Sequence, residues 1–382
     1  MKVGIVGELP GVLPGRVTGG AERQLLLLAR YLSKRGHEVT CVVPGLGQEA
    51  CLGDGPRIAS GWDGSVGLRG VRLFTYRLPH LRRCLETLSA DVLYVRGYSL
   101  VAHTVVTTAR RLGSVSIVGL AHDTDLRRNR ARLVQRHSNW PTKIAGGRIA
   151  FSLAWWPALR QADFVAAQTS EQLQRCQELG LAGVLLANIV EGAGIDGGRN
   201  TPTSDVVWVG ALAERKGVPQ LVQLAKRLAD VRFSVVGALT DGSLSRCAQE
   251  LAALPNVQWT RGLAHHEVMS EIASSRVLVN TSRYEGFANT LLEAWCAGVP
   301  VATLHVNPDG LLDGPEPLGC SARGSVDRMA AQIRQLLASP ALRTSMGERG
   351  QRYVRETHSP ETVCVRFESL VRSKLQLTET GA

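Results

Sequence analysis

Two glutamates, Glu285 and Glu293, stand either side of seven residues in the string SRYEGFANTLLEAWCAGVP, Ser282 to Pro300. Carboxylates accept hydrogen bonds from hydroxyl groups, so two of them at different depths of one cavity could hold a ribose and a hexose. Apolar Val277 to Asn280 reads as a buried strand, which leaves Glu285 and Gly286 in the loop at its carboxyl end. Asn289 is a favourable N-cap, and Leu291, Leu292 and Ala294 continue a helix that carries Glu293 about one turn in. The free N–H groups and the positive dipole end of such a helix suit a diphosphate. Gly286 lets the backbone approach a ligand closely.

Three further groups could share that chemistry. In VGALAERKGV, Lys216 and Gly217 open a helix after an apolar strand, and a lysine there suits a diphosphate. Gly19-Gly20-Ala21-Glu22 permits a tight turn and close backbone approach to a phosphate or sugar. His122, in GLAHDTD, follows an apolar strand and could hydrogen-bond a sugar or simply cap the strand end. Asp123-Thr124-Asp125 has a metal-binding pattern, taken here as accidental beside His122. Gly4 and Gly7 lack the spacing of the dinucleotide fingerprint.

Taken together these strings resemble the family 4 (group 1) retaining glycosyltransferases. Glu285 and Glu293 match that family's Glu-x7-Glu signature, and EGFANTLLEA, AGVPV, Gly19 to Glu22 and the LLANIVE segment with Asn188 resemble it too. The similarity runs from residue 1 to about residue 375. It implies that Glu293 binds the nucleotide ribose, that Glu285 approaches the donor sugar and that His122 hydrogen-bonds it. Gly286, Phe287, Ala288, Asn289 and Thr290 would then surround the donor, and main-chain groups near Gly262 in RGLAHHEV would read the base. The family's Gly-Arg-Leu-x-x-x-Lys-Gly loop maps onto Gly210 to Gly217, with Lys216 in place but Ala211 where the arginine belongs. Arg215 is the candidate substitute, or else a solvated charge at a helix start. The implied reaction is metal-independent transfer from a UDP- or GDP-sugar, with no resident cofactor, to a lipid-linked or polysaccharide acceptor.

Strands alternate with helices along the chain, which implies parallel, doubly wound sheets. Strands are expected at Val3 to Val6, Glu38 to Val43, Asp91 to Val95, Val115 to Leu120 and from Asp163, with helices over Ala21 to Lys34 and Ser170 to Leu179. The alternation restarts at Val206 to Val209. It continues through helix Val218 to Leu228, strand Arg232 to Val236, helix Ser243 to Ala252, strand Val257 to Thr260, helix His266 to Ala273 and strand Val299 to Thr303. The resulting expectation is an α/β GT-B architecture, two Rossmann-like domains facing a central cleft. Residues 1–190 would form the acceptor domain, 191–204 a linker and 205–360 the donor domain. Residues 361–382 would form a final helix, packed back on the first domain, and a tail.

Composition narrows the function classes. Residues 1–200 carry 25 Lys and Arg against 15 Asp and Glu, so nearly all of the net +11 lies in the first half. That surplus points to an anionic partner: a membrane, a nucleic acid or a phosphorylated substrate. From Arg127 to Arg160 eight basic residues occur with Trp140, Trp155, Trp156 and no acid, which suits an anionic membrane surface or a solvated helical face with the Trp packed inside. No RNA-binding aromatic motif, zinc knuckle or helix-turn-helix pattern supports a nucleic-acid partner. A nucleotide-sugar epimerase or a phosphorylase is the alternative enzyme class. None of the eight cysteines forms a Cys-x-x-Cys pair, as expected for small buried hydrophobes in a reducing cytoplasm. The N-terminus does not read as a signal peptide. The longest apolar run, Ile149 to Leu159, has only 11 residues, so the expected location is cytoplasmic, peripheral on the inner face of the plasma membrane.

Overall fold

The computed structural model describes residues 1–9, 19–45, 50–51, 55–63, 65–67, 72–97, 100–127, 154–192 and 204–380. It divides into two compact units, Met1–Ile189 with Pro360–Ala382, and Val190–Ser359.

The first unit holds strands β1 (Lys2–Val6), β2 (Glu38–Gly45), β3 (Ala50–Cys51), β4 (Arg57–Asp63), β5 (Val92–Arg96), β6 (Val115–Gly119), β7 (Phe164–Ala167) and β8 (Gly183–Leu185). They form one sheet in the order β3-β4-β2-β1-β5-β6-β7-β8, parallel except for the short edge strand β3. Helices α1 (Gly20–Lys34), α2 (Leu78–Leu88), α3 (Leu100–Leu112) and α4 (Ser170–Glu178) belong to this unit. Residues 154–161 are also helical. Strand β5 shows why both faces are covered. Val92 and Tyr94 enter one core with α1, while Leu93 and Val95 enter the other with α3. Alternating side chains of a strand point to opposite faces, and a parallel sheet buries both.

In this unit two strands begin later than the sequence suggests. Asp91 and Asp163 stand just before β5 and β7, and their carboxylates accept the backbone N–H groups of Lys2 at 2.7 Å and Ser116 at 2.9 Å on the neighbouring strands. Short acids satisfy a sheet end in this way.

The second unit repeats the plan. Its sheet runs β11-β10-β9-β12-β13-β14, from β9 (Ser204–Val209), β10 (Phe233–Val236), β11 (Val257–Thr260), β12 (Ser275–Asn280), β13 (Val301–Thr303) and β14 (Gly319–Ser321), all parallel. Ser204, assigned above to the linker, is the first residue of β9, with its hydroxyl 2.7 Å from that of Ser275 on β12. The helices are α5 (Val218–Arg227), α6 (Ser245–Ala252), α7 (His265–Ala273), α8 (Asn289–Cys296), α9 (Val326–Ala338) and α10 (Pro340–Thr357).

The last helix, α11 (Pro360–Thr380), returns to the first unit. Val363, Cys364, Phe367 and Val371 enter the α1-side core. Glu368 anchors it: its carboxylate accepts Arg35 Nε at 2.6 Å and Nη2 at 3.1 Å, and lies 2.9 Å from His37 Nε2. The hydrogen bond from Arg35 and the nearby His37 hold the Glu368 carboxyl at about 2 against the effect of burial.

Of the basic aromatic stretch, residues 128–153, including Trp140, lie outside the described residues. Trp155 follows the packed-inside reading and not the membrane-surface one. It is 1% exposed within the α3-side core, and its indole N–H donates to the carbonyl of Asp125 at 2.9 Å. Trp156 packs against the same core, whereas Arg127 and Arg160 are exposed. Among the described residues no helix is long and apolar enough to cross a membrane.

Candidate functional site

Sheet order determines where each unit can bind a ligand. In the second unit β9 is followed by β10 on one side, and the chain later returns through β12 on the other. The strand order reverses between β9 and β12, and the loops leaving their carboxyl ends separate there to leave a crevice. Those two loops carry Arg215, Lys216 and Glu285.

A short 3-10 turn, Glu214–Lys216, follows β9. It docks on the loop after β12 through backbone and hydroxyl groups. Arg283 N donates to Arg215 O at 2.9 Å, and Thr281 Oγ1 donates to Lys216 O at 2.7 Å. Thr281 Oγ1 in turn accepts the indole N–H of Trp208 at 3.0 Å. Gly217 makes the approach possible: its φ is +67°, and a Cβ would lie 2.1 Å from the carbonyl oxygen of Thr281.

The docking brings two cations onto one carboxylate. Arg215 Nη1 donates to Glu285 Oε2 at 3.0 Å, and Lys216 Nζ donates to Oε1 at 2.5 Å. Glu285 is 6% exposed. Burial on its own would raise its pKa, but Lys216, Arg215 and a hydrogen bond from Ser282 override that and hold it at about 2.

Glu293 lies on α8, buried, with His265 Nδ1 of α7 3.9 Å from its Oε1. His265 is half-buried beside Glu293, and His266 is exposed. The N-cap assignment is also corrected. Ala288 is the N-cap of α8 and Asn289 its first helical residue, so the start of α8 has no side-chain cap. Phe287 turns its ring into the core, edge-on to Trp295 and His358, and offers a ligand only its main chain. Gly286 and Ala288 are buried, Asn289 and Thr290 half-buried, and Gly262 has open space where a side chain would stand.

The first unit has its own crevice, between β1 and β5, where its strand order reverses. A cavity of about 470 Å³ lies there, and Gly7, Glu22, Trp62, Arg96 and His122 are on its wall. Glu22 closes the start of α1, accepting Gly19 N at 2.9 Å, with Gly20 the first helical residue. His122 is placed by Asp125, whose buried Oδ2 accepts the N–H groups of Ala121 at 2.7 Å and His122 at 3.0 Å. Asp123 Oδ1 accepts Gln172 Nε2 at 2.7 Å. Both carboxylates of the Asp-Thr-Asp string thus shape the loop that bears His122. Arg96 and Trp62 escape a motif-based reading. The signal for Arg96 was a charged residue ending the apolar run VLYV, at the carboxyl end of a parallel strand; Trp62 had none.

Two family models match the chain, the glycosyltransferase family 4 model over residues 18–186 and the glycosyl transferases group 1 model over residues 196–353. The chain belongs to the group 1, family 4 glycosyltransferases. This glycosyltransferase is 24% identical over 375 residues to a lipopolysaccharide core biosynthesis glycosyltransferase of Rhizobium meliloti, covering 93% of this chain and 96% of that one. It is 27% identical over 340 residues to a GDP-mannose-dependent alpha-mannosyltransferase of Mycolicibacterium smegmatis, covering 85% and 83%. Among solved structures, sucrose-phosphate synthase from Thermosynechococcus elongatus superimposes with a TM-score of 0.73 at 16% identity, covering 99% of this chain and 100% of that one. Anabaena HepE in complex with UDP and glucose superimposes with a TM-score of 0.69 at 16% identity, covering 98% and 100%. The glycosyltransferase has the GT-B fold.

Proposed function

We propose that the protein is a retaining, metal-independent glycosyltransferase that binds a UDP- or GDP-sugar in its second unit and glycosylates a lipid-linked or polysaccharide acceptor of the cell envelope or exopolysaccharide. The observation that carries this is the meeting of Arg215 and Lys216 on Glu285 at the second unit's strand-order reversal. Two cations side by side, next to the uncapped start of α8, suit a diphosphate. Glu293 would accept the ribose hydroxyls and Glu285 would face the transferring sugar. Gly19, Gly20 and Glu22 would border the acceptor, and His122 would hydrogen-bond the sugar.

In the proposed reaction the acceptor oxygen bonds to the anomeric carbon on the face from which the diphosphate departs. The bond from that carbon to the phosphate oxygen breaks, and its electron pair stays on the diphosphate. The acceptor proton passes to the departing phosphate oxygen. Lys216, Arg215 and the start of α8 stabilise the negative charge that develops there. The envelope acceptor is supported by the relatives named for lipopolysaccharide core and, in Staphylococcus aureus, capsular polysaccharide biosynthesis. A cytoplasmic enzyme held on an anionic membrane surface by the basic first half would meet such an acceptor at raised local concentration.

Calorimetric titration with UDP, GDP and ADP identifies the parent nucleotide. Lys216→Ala and Glu293→Gln are each expected to weaken its binding about ten-fold or more while the fold survives. Unchanged affinity in both variants overturns the donor site.

A further inference from the structure

The basic surplus of the first half finds one specific expression in the cavity between β1 and β5. Arg96 ends β5 and lines that cavity. The chain makes room for it: a Cβ on Gly119 of the adjacent strand would lie 3.3 Å from Arg96 Cγ and 2.4 Å from the hydroxyl of Tyr94. Behind the cavity the guanidinium is fixed by neutral groups. Arg96 Nη2 donates to Asn188 Oδ1, Asn188 Nδ2 donates to Gln168 Oε1 at 3.1 Å, and Gln168 Nε2 donates to the carbonyl of Leu120 at 2.6 Å. Asn188 and Gln168 are both buried, so this train holds the guanidinium in one place.

No carboxylate pairs with Arg96 among the described residues, and its Nε is buried without an acceptor. Glu8 and Glu22 share the cavity wall, and the Glu22 carboxylate accepts the Gly19 N–H at the start of α1. A half-buried guanidinium held only by an amide is an uncompensated charge. Such a group is stabilised when a counter-ion joins it. The planar fork of an arginine matches the oxygens of a phosphate or carboxylate. The cavity volume, about 470 Å³, lies in the range of small-molecule sites.

We propose that Arg96 binds an anionic group, phosphate or carboxylate, on a saccharide held in this cavity, so that the acceptor is an acidic or phosphorylated sugar. The assignment of that sugar as acceptor rests on the glycosyltransferase reading above; the anion site itself does not.

The test is calorimetric titration of the full chain with glucose 1-phosphate, glucuronic acid, glucose and inorganic phosphate. Each is measured on wild type, Arg96→Gln, Arg96→Lys and Lys216→Ala. In wild type at least one of the two acidic sugars should bind ten-fold or more tighter than glucose, and which one does so separates phosphate from carboxylate. Arg96→Gln should reduce that preference to the level of glucose, Arg96→Lys should keep part of it, and Lys216→Ala should leave it intact. Equal binding of glucose, or an undiminished preference in Arg96→Gln, overturns the proposal. Loss in Lys216→Ala instead puts the anion in the second unit and also overturns it. Inorganic phosphate binding as tightly as glucose 1-phosphate overturns the saccharide. If Arg96→Gln does not fold, Arg96→Lys against wild type decides, because a mere strut for Asn188 would change melting temperature without changing ligand preference. UDP and GDP titrations on the same samples separate the two readings: no nucleotide binding in wild type sinks the donor site and leaves the anion preference standing.

Discussion

Arg215 Nη1 stands 3.0 Å from Glu285 Oε2, on the carboxylate whose other oxygen accepts Lys216. Consecutive residues seldom converge, because in a helix or strand their side chains diverge. Here they sit in a 3-10 turn whose carbonyls are fixed by the N–H of Arg283 and the hydroxyl of Thr281 on the opposite loop. The position that carries an arginine in the family pattern holds Ala211, and Arg215 is a second cation beside Lys216 on Glu285.

Glu285 is expected to link pH and stability as well as turnover. Its folded pKa, about 2, lies below its ordinary value of 4.5. The stabilisation it contributes is therefore fully present above about pH 4.5 and is lost as pH falls toward 2. Thermal melting across that window should fall less steeply in Glu285→Gln than in wild type. The same variant should lower kcat about 100-fold while changing donor affinity only a few-fold, since its contact with the sugar matters most in the transition state. Wild-type kcat in Glu285→Gln makes the residue structural.

Glu368 should govern the docking of α11. Glu368→Leu leaves Arg35 and His37 without their carboxylate and should lower the midpoint of urea unfolding at pH 7. Arg35→Met combined with Glu368→Leu should lose less than the two single changes summed, because the second substitution removes the unpaired charge. Strict additivity would show that the pair does not couple.

Trp155 should matter to the core and not to a membrane. Trp155→Phe removes the hydrogen bond to the Asp125 carbonyl from a fully buried position, at about 1–2 kcal/mol. Sedimentation with anionic vesicles at low salt should be unchanged in this variant and should weaken as salt is raised, since exposed charges are screened over about 8–10 Å. Failure of the wild type to bind such vesicles, or equal binding to neutral ones, ends the peripheral-membrane proposal. Weaker sedimentation of Trp155→Phe would mean that the indole reaches the lipid.

The sequence by itself determined the alternation of strands and helices, because apolar runs such as VGIV, DVLYV and RVLVN are short-range signals that both faces of a parallel sheet must bury. It also determined that Lys216, Glu285 and Glu293 lie in loops and a helix start after strands, since glycine and apolar spacing are local. Which loops meet was decided only by the strand order. Residues 216 and 285 are far apart in the chain and come together because β9 and β12 are hydrogen-bonded neighbours at the point where the order reverses. The same holds for Arg96 and His122, brought to one cavity by the pairing of β5 with β6. Burial was likewise a tertiary decision. Trp155 sits in a run of basic residues that leaves a surface and a packed reading both open, and its ring enters a core built by α3 and strands remote in sequence. Local composition reports what a segment could cover; only the packing of distant segments settles which of its faces is covered.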